Sequence, residues 1–151
     1  MQHLRRFLAF ALFATWFGGL TFYAAVVVPI GGSQLGETTQ GFVTQQVTIR
    51  LNALAALALV AWAWEISASR RWRRTSIAIW TLQATILLGL TGLHVQLSSM
   101  LDLVDRSGPT VSDFYSWHRL YLIGTTLQWL LALAMIWEWV AEPRSRKEAA
   151  S

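Results

Sequence analysis

Four long apolar stretches dominate the pattern along the chain. The first uncharged run is residues 7–36, with an apolar body from Phe7 to Ile30. The second covers residues 47–64 and is interrupted near its start by Arg50. The third, residues 75–101, and the fourth, residues 120–137, carry no charge, and the fourth begins a turn earlier near Ser116. A helix needs about 20 apolar residues to cross roughly 30 Å of hydrocarbon. Backbone groups in lipid must be satisfied within the segment, so such runs read as helices. A β-barrel needs short alternating segments, which these runs contradict. The pattern predicts an all-α, integral membrane four-helix bundle with antiparallel neighbouring spans over residues 5–30, 45–66, 75–101 and 116–140. A cytoplasmic tail at 143–151 is expected to be disordered.

Polar and turn residues set the connections. Residues 31–46 read as the first outer loop, with Pro29 ending or kinking the helix before it. Within it, 37–46 reads either as an interfacial helix or as an extension of the second span. Residues 98–116 read as the second outer loop, with Ser107-Gly108-Pro109 as its turn. Ser112 or Asp113 is a candidate cap for the last helix.

Charge then orients the bundle. Nine of the twelve basic residues lie beside the two termini and the connection between spans two and three: Arg5, Arg6, Arg70, Arg71, Arg73, Arg74, Arg144, Arg146 and Lys147. The opposite side has Arg50, Arg106 and Arg119 beside Glu37, Asp102, Asp105 and Asp113. The positive-inside rule places both termini in the cytoplasm of a multi-pass plasma-membrane protein. Trp62, Trp64, Trp72, Trp137 and Trp139 fit an inner interfacial belt, and Trp117 an outer one. Trp16, Trp80 and Trp129 read as packing residues. The first run is too long for a signal core and has no clean cleavage site, so it reads as retained.

Composition narrows the function classes. Of 151 residues, 54% are hydrophobic and 13% charged, and mean hydropathy is +0.42, which excludes intrinsic disorder. The absence of cysteine excludes disulfides, thiolate metal sites and cysteine nucleophiles. The net charge of +4 lies mostly in the basic flanks, so no nucleic-acid partner is expected. The partner is the lipid bilayer, with other membrane subunits or self-association open. No metalloprotease, phosphate-loop or serine-hydrolase motif occurs, and no enzyme is expected.

Polar residues within spans are where function would show. On the third span Gln83, Leu87, Leu90, Thr91 and His94 share a face, and Gly89 and Gly92 would admit a neighbour closely. On the fourth, His118, Tyr121, Leu122, Thr125 and Trp129 share a face, with Gln128 beside it. His94 and His118 fall at similar depth near the outer end, with Arg50, Asn52, Asp113 and Arg119. The bland reading is a structural polar layer. The chemical alternatives are copper or zinc bound by His94 and His118, haem held between them, or proton relay. A third reading is a transporter or channel subunit acting as an oligomer.

Several residues carry a family likeness: Gly18-Gly19 and residues 26–29 in the first span, Phe42 through Arg50 and Asn52, then Phe114-Tyr115-Ser116-Trp117-His118-Arg119-Leu120-Tyr121 and Gln128. The chain resembles the domain of unknown function 4149 family of four-helix membrane proteins, related to the transmembrane protein 205-like proteins. It departs at Trp117, where a smaller residue is usual, and at Gly124-Thr125-Thr126, where an Asn is typical. A looser likeness is to copper-resistance D-type membrane proteins. The resemblance implies a membrane protein without an established reaction, consistent with an accessory or stress-related component.

Overall fold

The computed structural model describes residues 2–68, 74–107 and 111–140, without the side chains of 37–38, 101–107 and 111–113. Arg70, Arg71, Trp72, Arg73, the 108–110 turn and the tail lie outside the described residues. Helix α1 spans Gln2–Phe22, a π-helical turn follows at Tyr23–Val27, and α2 continues over Val28–Leu35. Helix α3 spans Glu37–Ala68, α4 Arg74–Ser107 and α5 Val111–Val140. Four helical stretches are long and apolar enough to cross a bilayer: Gln2–Leu35, Thr39–Ala68, Arg74–Met100 and Phe114–Val140. The chain is thus an all-α four-helix bundle, with no strand among the described residues.

The connections are much shorter than the polar pattern suggests. Pro29 does not end the first helix, which runs on to Leu35. Proline lacks an N–H, and its ring crowds the carbonyl four residues earlier. The wider π turn immediately before it relieves that crowding. The first outer loop reduces to Gly36, whose φ of 77° favours glycine. The Gln40 amide then donates to the Gly36 carbonyl at 3.0 Å as α3 begins. Residues 37–46 therefore extend the second span. Likewise α4 occupies most of the expected second loop and reaches Ser107. Ser112 and Asp113 lie inside the first turn of α5 and do not precede it. The reason is physical: α3 has 32 residues, about 48 Å at 1.5 Å per residue, so its polar first turns project beyond the hydrocarbon while staying helical.

Each helix packs on its sequence neighbour: α1 on α3, α3 on α4, and α4 on α5. Ring contacts return α5 to α1, with Phe17 stacked on Trp129 at 5.6 Å and Phe10 on Trp139 at 5.1 Å. The core sets large α1 side chains against small residues. Phe13 and Trp16 meet Ala55, Ala58, Leu59 and Trp62 of α3, with Leu87, Ala132 and Met135 from α4 and α5. In lipid such layers cohere by close packing, because hydrocarbon surrounds both the packed and separated states.

Close helix approach occurs at Gly124, where an added Cβ would lie 2.9 Å from Leu90 Cδ2. Gly19 approaches Leu51 at 3.5 Å, and Gly31 lies under the Gln40 side chain. Gly89 and Gly92 instead have nothing within 4 Å of an added Cβ. The expected contact there is displaced because both face away from the bundle. Trp62 is similarly relocated: it is buried beside Phe13 at 5.2 Å, not in the interfacial belt. Trp64, Trp117 and Trp137 are exposed at the bundle's flanks.

Candidate functional site: a neutral polar interior and an ionic end

At the end carrying both Arg5 and Trp139, charge closes the bundle. Glu65 of α3 is buried, and Arg5 Nε donates to its Oε2 at 2.6 Å. Arg6 Nε stands 3.6 Å from the other carboxylate oxygen, with its guanidinium 5.6 Å from the Trp139 ring centroid. A buried carboxylate needs such compensation, because stripping its water is costly. The ring supplies a further cation–π attraction. Nearby, Ser76 of α4 donates to Glu138 of α5 at 2.9 Å. Trp62 and Trp139 lie 6.1 Å apart and seal the layer beneath.

The opposite half is closed by neutral groups. Tyr23, set in the π turn, donates its hydroxyl to Thr44 Oγ1 at 2.9 Å. Gln40 Nε2 is shared between the Tyr23 hydroxyl and Thr44 Oγ1, at 3.4 Å from each. Thr44 donates its own hydrogen to the Gln40 carbonyl at 2.8 Å. Glycine at 31 leaves the space that the Gln40 amide fills.

Further in, the Tyr121 hydroxyl of α5 faces the side chains of Asn52 and Thr48 on α3 and of Thr125 on its own helix. Deeper again, Gln83 and Gln128 are buried, and Gln83 Nε2 donates to the Gln128 backbone carbonyl at 3.0 Å. Two indoles add to the interior hydrogen bonding. Trp80 Nε1 donates to the Leu59 carbonyl at 2.9 Å. Trp129 Nε1 donates to Thr21 Oγ1 at 2.9 Å, bridging α5 to α1.

The expected outer layer is therefore divided. Asn52 and Tyr121 come together. His94 has Ser98 as its neighbour, Oγ to Nε2 at 3.5 Å on the same helix. His118 stacks on Phe114 with ring centroids 5.9 Å apart. No hydrogen bond or ring contact joins the two imidazoles among the described residues. Arg50 is exposed and reaches back to the Gln46 carbonyl at 3.4 Å, and Arg119 is exposed. The side chains of Asp102, Asp105, Arg106 and Asp113 lie outside the described residues. Among the described residues no cluster of three metal-ligating side chains occurs. Leu122, expected to share a face with Tyr121, Thr125 and Trp129, is exposed, whereas those three are half-buried.

The sequence reading missed Tyr23, Gln40, Thr44 and Glu65. Glu65 carried a usable signal: it follows the second apolar run directly, and antiparallel packing sets that end beside Arg5 and Arg6. Comparison with known protein families, curated proteins and solved structures finds no match to this chain.

Proposed function

We propose that the protein is a multi-pass integral component of the plasma membrane, with both termini cytoplasmic, acting as a non-catalytic accessory subunit. The observation that carries this reading is the reversal of the usual surface. Leu88, Trp137 and Val140 are 76%, 73% and 70% exposed. Meanwhile the polar side chains of Gln40, Thr48, Glu65, Gln83 and Gln128 are buried within the bundle. Contiguous exposed apolar surface of this kind is rare on a water-soluble monomer and fits lipid. Orientation rests on the nine basic residues that flank the two termini and the α3–α4 connection in the sequence.

A relationship to the domain of unknown function 4149 family is part of this proposal. Its support is that residues from separate stretches of the likeness meet in space, Asn52 with Tyr121.

The test is alkaline extraction of membranes, followed by absorption spectroscopy and metal analysis of the detergent-purified protein. Retention in the membrane, no Soret band and no stoichiometric copper or zinc are expected. Release by alkali contradicts the integral reading. A Soret band or bound metal lost in His94→Ala and His118→Ala replaces the accessory role with haem or metal binding.

A further inference from the structure

Two atoms in the centre of the bundle stand out. Gln83 is fully buried and Gln128 is 2% exposed. Gln83 Oε1 and Gln128 Nε2 have no hydrogen-bond partner among the described residues. One is an acceptor and the other a donor, so the two orphans are complementary. Exchanging the amide atoms of Gln83 does not resolve the problem. Its Nε2 is pinned by the Gln128 carbonyl at 3.0 Å, and a flip would set two oxygens against each other. Buried polar groups of this kind are almost always satisfied by protein or by an ordered water.

We propose that Gln83 and Gln128 form a buried hydration site, in which one water accepts from Gln128 Nε2 and donates to Gln83 Oε1. Thr125 stands three residues before Gln128 and so adjoins it on the helix surface. Its hydroxyl hydrogen is donated to the Tyr121 carbonyl at 2.9 Å, leaving its oxygen as an acceptor. Beyond Thr125, toward the Gly36 end, stand Tyr121, Asn52 and Thr48. Toward the Arg5 end lies the layer of Phe13, Trp62, Ala132 and Met135, whose single polar side-chain group is the Trp62 indole N–H, a donor without an acceptor to pass water on. Water therefore reaches the site from the Gly36 end and stops there. The bundle has a hydrated half and a dry half, divided at Gln83.

Two measurements test this. In detergent-solubilised protein labelled on glutamine nitrogen, the side-chain amide lost in Gln128→Met identifies Gln128. In the unmodified protein that amide is expected to show magnetisation transfer to a long-lived water. A direct transfer between the Gln83 and Gln128 amides, with none to water, overturns the site. The second uses the cysteine-free chain. Thr125→Cys and Ile123→Cys lie at nearly the same depth, but Ile123 faces outward and is 52% exposed. A charged methanethiosulfonate reacts with the thiolate, which needs water to form. Thr125→Cys is therefore expected to react at least about tenfold faster than Ile123→Cys. Equal rates overturn the hydrated half.

Discussion

The two ends of the bundle solve the same problem with different chemistry. At the Arg5 end, two guanidinium groups and one buried carboxylate meet under an indole ring. At the Gly36 end, a phenol, an amide and hydroxyls do the joining, with no charged group in the Tyr23–Gln40–Thr44 knot. The difference teaches where charge is tolerable. Ionic groups sit at the extreme end, where water and anionic headgroups help solvate the guanidinium heads that the long arginine stems carry outward. Neutral hydrogen bonds carry the closure wherever the polar groups run deeper, because an amide costs less to bury than an ion.

The largest expected effect breaks the ionic end. Glu65→Ala leaves Arg5 and Arg6 facing each other without their anion. Removing one partner of a buried pair costs about 3–5 kcal/mol, and thermal unfolding in detergent measures it. Truncation of the ring at the centre of the apolar core comes next. Phe13→Ala is expected to cost about 3 kcal/mol, since the loss in lipid is one of packing. Glycines then sharpen the contrast between inward and outward faces. Gly124→Ala presses on the terminal methyl of the buried Leu90, and after the gain in helix propensity it should destabilise by up to about 1 kcal/mol. Gly89→Ala meets open space and should stabilise by up to about 1 kcal/mol through helix propensity. Tyr121→Phe, at the neutral junction with Asn52, should cost about 1 kcal/mol. The smallest change is expected for His94→Ala and His118→Ala, within about 0.5 kcal/mol each, as for sites with few interior partners.

The four spans were legible because lipid imposes a length and a composition that local sequence must meet. The connections were not, because polarity distinguishes water from lipid and does not distinguish loop from helix. Gln40 and Thr44 are polar since they approach the interface, yet they stay helical and bind Tyr23 across it. Rotation about each helix was less legible. His94 and His118 were expected at one depth, and side-chain direction gives one to Ser98 and the other to Phe114. Asn52 and Tyr121 were readable as a pair of polar residues within spans. That they meet depends on α3 and α5 facing one another, which no run of apolar residues encodes. Glu65 escaped because it lies just past the apolar run that defined the span.

The central claim is a bundle of four membrane crossings with both chain ends and the α3–α4 connection on one side. Single cysteines at Gln2, Arg74, Gln34 and Ser107 of the cysteine-free chain, probed with a membrane-impermeant thiol reagent on intact cells, test it directly. Gln34→Cys and Ser107→Cys are predicted to label from outside, and Gln2→Cys and Arg74→Cys only after the membrane is opened. Labelling of Gln2→Cys or Arg74→Cys on intact cells, or protection of Gln34→Cys and Ser107→Cys there, would contradict the account.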